Sequence, residues 1–342
     1  MKEILLALSR GENLSEPTAQ DAMHQMMSGT ASPAQIAAYL TLLQVKGETI
    51  EELTGSARAM RDHAIQLVLP YDDVIDTCGT GGDHSGTFNI STAASFVLAA
   101  GSIRVAKHGN RAASSLTGSA DVLAELGVAI DLTPLQAKRC LDETGFCFLF
   151  AQSYHPAMKH VAPIRKELGF RTMFNFLGPL TNPAQPKYQV LGTPSVDVAE
   201  KMARVLAALD CQRALVVHAE DGLDELSITG MSHVFEVNEG TVHPYNVTPA
   251  DFGLKTHPLH AIAGGIPEEN AAIIRHVFQG EKGARRDVVV MNAAAGFYVA
   301  KKVSSYQEGA RLAERLIDEG KAAQKLHEVC VFSQSVAEGL LA

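Results

Sequence analysis

The run Asp76-Thr77-Cys78-Gly79-Thr80-Gly81-Gly82-Asp83 has the composition of an anion-holding turn. It follows the apolar, strand-like pair Val74-Ile75. It leads through Asn89-Ile90-Ser91-Thr92 into the helical stretch Ala93-Ala94-Ser95-Phe96-Val97-Leu98-Ala99-Ala100. A glycine-rich turn between a strand and a helix start exposes backbone N–H groups, and the helix dipole brings its positive end to the same place. Asn89, Ser91 and Thr92 add small hydrogen-bonding side chains there. A phosphate ester fits such a place. The two commonest glycine loops are excluded: His84 stands where a dinucleotide fingerprint needs its third glycine, and no Gly-Lys-Ser/Thr follows as in a Walker A loop.

Three further groups could serve the same chemistry. Lys107-His108-Gly109-Asn110-Arg111, followed by Ala112, Ala113, Ser114, Ser115 and Ser119, comes after the strand-like Ile103-Arg104-Val105. In a parallel sheet, ligands sit at the carboxyl ends of strands, so this basic loop becomes a phosphate cradle if its strand neighbours the first. Asp221-Gly222-Leu223-Asp224-Glu225 follows another apolar run, and adjacent carboxylates at a strand end suit Mg²⁺, which prefers oxygen ligands and keeps several waters. Arg165, beyond His155-Pro156 and before Gly178-Pro179, carries a guanidinium that can grip a carboxylate bidentately. Taken alone, the basic loop also reads as solvated, the acidic loop as a surface turn, and Arg165 as a surface or salt-bridged side chain. Cys78 lacks a histidine partner in sequence and reads as a small packing residue.

The elements that must position these groups fall into two textures. Residues 1 to about 66 read as consecutive helices, with start signals at Ser15/Pro17, Ser32/Pro33 and the capping box Thr49/Glu52. From about residue 73, β-prone runs alternate with helical stretches at 92–100, 118–127, 134–143, 156–167 and 195–209. That is the βαβ pattern of a mostly parallel sheet flanked by helices. Val234–Val237 and Thr241-Val242 suggest an antiparallel addition, and helices at 267–279, 285–300 and 306–340, broken near Gly320, close the chain. The expected fold is α/β: a small helical domain at 1–70, to which part of 165–187 returns, and a large α/β domain at 71–342.

Bulk properties narrow the function. The 342 residues are 46% apolar, enough for more than one core. A net charge of −9 argues against general nucleic-acid binding, which leans on Lys and Arg. Five cysteines without C-x-x-C spacing suggest neither a disulfide framework nor a zinc site. No membrane-spanning run and no signal-peptide h-region occurs, and a reducing cytoplasm fits.

Gly79-Thr80-Gly81-Gly82-Asp83, Asn89-Ile90-Ser91-Thr92, Lys107-His108-Gly109-Asn110-Arg111 and Asp224-Glu225 stand in the order and spacing of the anthranilate phosphoribosyltransferases. Gly178-Pro179-Leu180-Thr181-Asn182-Pro183 and the helical start resemble that family too, so the likeness covers nearly the whole chain. Ala112-Ala113 departs from the Ser-Val pair more usual there. The resemblance implies transfer of the phosphoribosyl group of 5-phosphoribosyl 1-diphosphate to the amine of anthranilate, on the way to tryptophan. It implies that Gly79, Gly82, Asp83, Thr87, Asn89, Ile90, Ser91, Thr92 and the segment from Lys107 to Ser115, with Ser119, bind the sugar diphosphate. Lys107 and Asp83 would be catalytic. Ser91, Asp224 and Glu225 would hold two Mg²⁺ per subunit. Asn110 and Arg165 would bind anthranilate, with Gly79, His108, His155 and Gly178 lining its place. A cytoplasmic homodimer joined through the helical domain is expected. Rival families fit less well: a pyrimidine nucleoside phosphorylase lacks the Gly-Asn-Arg run, and a dehydrogenase needs the missing glycine.

Overall fold

The computed structural model describes residues 1–83, 85–112 and 116–340. Its first part is built from α1 (Lys2–Ser9), α2 (Glu16–Met27), α3 (Pro33–Lys46) and α4 (Ile50–His63). The start signals act as the sequence implies: Ser15 accepts from the Thr18 N–H, and Ser32 and Thr49 close capping boxes with Gln35 and Glu52. Glu52 is fully buried, yet its carboxylate also accepts from the Leu14 N–H and from Lys46 Nζ, so its charge is satisfied.

The second part runs β1 (Val74–Gly79), α5 (Ile90–Ala100), β2 (Arg104–Gly109), α6 (Ser119–Leu126), α7 (Pro134–Thr144), β3 (Phe146–Phe150) and α8 (Ala151–Tyr154). It continues through α9 (Ala162–Leu168), α10 (Phe174–Leu177), β4 (Tyr188–Gly192), α11 (Val196–Ala208), β5 (Arg213–Ala219), β6 (Ser232–Asn238) and β7 (Thr241–Val247). Finally come α12 (Pro267–Phe278), α13 (Ala284–Val299), α14 (Tyr306–Asp318) and α15 (Lys321–Ala337). Among the described residues the strands form one seven-stranded sheet in the order β3-β2-β1-β4-β5-β6-β7, parallel except for β6 and β7.

Helices cover both faces of the sheet, so the parallel strands are apolar on both sides; every residue of β3 is buried. One core packs α5, α6 and α13 against one face. A second core joins the other face to the helical part, uniting Met23, Leu40 and Leu53 with Ile164, Met173, Leu177 and Leu191. Residues 161–180 therefore share a core with α1–α4, although they lie far along the chain. The stretch 156–167 differs from the single helix expected: a 3₁₀ turn at Pro156–His160 precedes α9, and Pro163, with no N–H to give, sits in the first turn after the break.

Candidate active site

The strand order turns back between β1 and β4, since the chain winds outward through β2 and β3 on one side and returns through β4 and β5 on the other. A crevice opens at the carboxyl ends of strands at such a switch point. The glycine loop leaves β1 there, Lys107-His108-Gly109 ends β2, and the acidic loop follows β5.

The acidic loop folds back over the ends of β4 and β1. Asp224 Oδ2 accepts from the Gly81 N–H at 2.9 Å, and the Asp224 N–H reaches Asp83 Oδ2 at 3.5 Å. Glu225 Oε1 accepts from the Ser91 N–H at 3.2 Å, in the first turn of α5. The approach is tight enough that a Cβ on Gly192, at the end of β4, would collide with the Asp224 carbonyl. Burial, followed by the neighbouring Asp83 charge, raises the Asp224 pKa; burial, then Asp224, raises that of Glu225. Three carboxylates in one partly desolvated corner call for a cation. Among the described residues no group of three ligands would hold a metal unaided. The carboxylates of this corner are of the kind that Mg²⁺ takes one or two at a time, completing its shell with water and substrate phosphates.

Lys107 stands beneath this corner, 1% exposed. Its ammonium donates to the Thr77 carbonyl and to Ser91 Oγ at 3.3 Å. Burial lowers its pKa, and the charge of Asp76 opposes that. Asp76 is itself fully buried; burial raises its pKa, opposed by Lys107, by Asn182 Nδ2 (2.8 Å) and by the His108 N–H (3.2 Å). A positive group is thus held in the floor of the crevice, where the low dielectric makes its field count for most.

At the start of α5 the side chain of Asn89 does not cap the helix. It donates to the Thr117 carbonyl at 3.2 Å and accepts from Asn270 Nδ2 at 3.0 Å. The hydroxyls of Thr80 and Thr92 are buried without a hydrogen-bond partner among the described residues. The outer end of the glycine loop is held by a segment absent from the sequence expectations: Thr87 bridges to Ala263, and the Gly264 N–H donates to the Gly86 carbonyl at 2.9 Å.

The residues expected to receive the acceptor lie on or beside segments packed into the helical core. Arg165, on α9, is half-buried with its guanidinium 5.2 Å from the centre of the Phe174 ring. His108 and His155 are both 7% exposed, with ring centres 5.2 Å apart and each Nε2 without a hydrogen-bond partner among the described residues. Burial pushes the His108 pKa down to about 3 and that of His155 to about 4. Both rings are neutral at pH 7, so neither adds to the positive charge of Arg165.

Residues 71–323 match the α/β domain of the glycosyl transferase family, and residues 2–64 match the helical bundle domain. The anthranilate phosphoribosyltransferase of Symbiobacterium thermophilum is 51% identical over 333 residues, 97% of this chain and 98% of that protein. That of Acetivibrio thermocellus is 51% identical over 335 residues, 98% of this chain and 97% of the relative. The chain belongs to the anthranilate phosphoribosyltransferase family. A crystal structure of anthranilate phosphoribosyltransferase from Thermus thermophilus matches with a TM-score of 0.92 at 46% identity, covering 97% of this chain and 99% of that one. The Saccharomyces cerevisiae anthranilate phosphoribosyltransferase in complex with PRPP and Mg matches with a TM-score of 0.89 at 28% identity, covering 99% of both.

Within this anthranilate phosphoribosyltransferase the expected site residues divide. Gly79, Gly82, Asp83, Ser91, Lys107, Asp224 and Glu225 line one corner. Asn110 and Arg111 lie one turn further out: Asn110 Oδ1 accepts from Gln152 Nε2 at 3.3 Å, and Arg111 pairs with Asp121 at 2.8 Å. Asp121 also accepts from the Ala112 and Gly118 N–H groups, both at 2.9 Å, and Ser119 Oγ donates to the Asn110 carbonyl at 3.3 Å. Ile90 has its side chain in the core and its N–H on the Phe88 carbonyl. Ala113, Ser114 and Ser115 lie outside the described residues. The sequence motifs include Asp76 and Asn182 but give neither a role, and Arg171 falls outside them. A separate cavity of about 330 Å³, lined by Arg58, Arg61, Lys187 and Asp210, lies at the opposite, amino end of β4.

Proposed function

We propose that Lys107, the glycine loop and the Asp224-Glu225 pair divide the phosphoribosyl transfer between them, moving the sugar phosphate of 5-phosphoribosyl 1-diphosphate to the amine of anthranilate and releasing diphosphate. The new bond joins the anthranilate nitrogen to C1 of the ribose as the C1–diphosphate oxygen bond breaks, and the nitrogen then loses a proton to water. The sugar passes through an oxocarbenium-like state, as in glycoside cleavage, so the chief demand is the negative charge arriving on the leaving group. Lys107 and the loop amides meet it with fixed charge and fixed dipoles. Asp83, Ser91, Asp224 and Glu225 would hold two Mg²⁺, which supply neutralisation of the diphosphate. The arylamine is already neutral at pH 7, so no strong base is needed. Arg165 takes the acceptor carboxylate, while Asn110, Gly79, Gly178 and the two neutral histidines surround the ring. Thr87, Asn89, Thr92 and Ser119 flank the donor.

The observation that carries this reading is the convergence of Lys107, the Ser91 hydroxyl, the Gly81 amide and the Asp224-Glu225 pair from four separate segments. The test is the loss of anthranilate fluorescence with 5-phosphoribosyl 1-diphosphate and Mg²⁺. Asp224→Ala with Glu225→Ala removes Mg²⁺-dependent turnover; near-normal activity in that double variant overturns the assignment. We further assign the enzyme to a reducing cytoplasm, a setting its unbridged described cysteines suit, and no described helix is long and apolar enough to cross a membrane. It acts as a homodimer through α1–α4, and a monomer in sedimentation at micromolar concentration refutes this.

A further inference from the structure

Arg171 meets the glycine loop that follows β1 in space, while in sequence it comes just after α9, the helix that carries Arg165. Gly169, left-handed at φ +68°, ends α9, and Arg171 follows on the short link to α10. Both ends of this link are anchored in the helical core, through Ile164 and Met173, and the Thr172 N–H is tied to Asn175 Oδ1 at 3.0 Å. From that fixed base the exposed Arg171 side chain crosses to the donor side. It donates to the Gly81 carbonyl at 3.1 Å and to the Gly82 carbonyl at 3.4 Å.

The consequence follows from peptide geometry. In a trans peptide the C=O and the next N–H point in opposite directions. Holding the carbonyls of Gly81 and Gly82 toward Arg171 turns the N–H groups of Gly82 and Asp83 the other way. Neither amide has a backbone or side-chain acceptor among the described residues, whereas the Gly81 N–H is taken by Asp224. Gly81 and Gly82 are left-handed at φ +69° and +79°, and a Cβ on Gly82 would stand 3.0 Å from the guanidinium. Glycine here serves both the turn and the close approach of the arginine.

We propose that Arg171 is a positioning residue: by gripping two consecutive carbonyls of the glycine loop, it aims the Gly82 and Asp83 amides at the diphosphate group of the donor and fastens the donor loop to the acceptor segment. This deepens the phosphoribosyl-transfer reading and rests on it. Arg171 touches the loop backbone, and its effect on the diphosphate passes through the amides.

The experiment compares wild-type enzyme with Arg171→Ala and Arg171→Lys. Losing a hydrogen bond from a charged donor costs about 10–100-fold in affinity. Arg171→Ala therefore lowers kcat/KM for 5-phosphoribosyl 1-diphosphate by about that factor, with the anthranilate KM held within about twofold. Arg171→Lys recovers only a minor part, because an ammonium lacks the planar fork that spans two carbonyls. Titration with Mg²⁺-diphosphate alone, followed by calorimetry, weakens by a similar factor in Arg171→Ala. This arm requires no acceptor, so it reads the inference even where anthranilate proves to be the wrong substrate. Unchanged donor kinetics in Arg171→Ala overturns the proposal. So does full rescue by lysine, which marks a direct charge on phosphate, and so does an equal loss for both substrates accompanied by a lowered melting temperature, which marks a merely structural role.

Discussion

Acidification offers a quantitative test of the buried histidine pair. An ordinary histidine titrates near 6.5, but in the fold His108 and His155 are held at about 3 and about 4. The unfolded chain therefore binds protons that the folded chain refuses, and stability falls as pH falls through 6.5, until the folded rings themselves protonate. Integrating the linkage relation from pH 7 to pH 5, with these folded values and an unfolded pKa of 6.5, each ring contributes a loss of about 1.9 kcal/mol, nearly 4 together. That is a large share of a typical domain's stability, about 5–15 kcal/mol. The assay is urea unfolding at the two pH values and fixed protein concentration, for the native sequence and for His108→Asn with His155→Asn. Other groups, such as the buried Asp224 and Glu225 with their raised pKa values, titrate in both proteins and cancel in the comparison, so the native enzyme loses about 3–4 kcal/mol more than the double variant over this interval. Comparing intervals cancels whatever the substitutions cost at neutral pH. If the native and variant losses match, the histidines are not buried neutral and this reasoning fails.

Two further expectations concern the site. Arg165→Ala raises the anthranilate KM by about 10–100-fold and leaves that of the sugar diphosphate within about twofold; steady-state kinetics with each substrate varied in turn decides this. Gly192→Ala drives a methyl group into the Asp224 carbonyl, costing about 1–3 kcal/mol and weakening Mg²⁺ activation in parallel, read by thermal melting and by Mg²⁺ titration of turnover.

What could be read from the chain alone was whatever has a local cause. Thr49 with Glu52, Ser32 before Pro33, and the five buried residues of β3 each carry their structural reason within a few positions. The glycine loop, Lys107 and the acidic pair were legible because each stands at the end of an apolar run, where a parallel sheet gathers its ligands. The hydrogen bond from Asn182 to Asp76 spans 106 residues and leaves no periodic trace. Arg171 sits on a link between short helices, where no pattern distinguishes a clasp from a solvated side chain. β7 was read as two residues but runs from Thr241 to Val247. It is an edge strand containing Pro244, mostly facing solvent, and burial supplies little of the alternation that reveals a strand.

The loop that folds over Gly192 also orders events during synthesis. Gly81 and the carboxylate that receives its amide are 143 residues apart. At typical translation speeds of about 5–20 residues per second, roughly 7–30 s pass between their emergence from the ribosome. Throughout that interval the nascent chain carries its glycine turn without the acids that complete it. In the finished fold the later loop rests on the ends of the paired strands β1 and β4. The corner where the acids meet the glycine turn cannot exist until residues 224 and 225 have been made, and a chain cut short before residue 224 never acquires it.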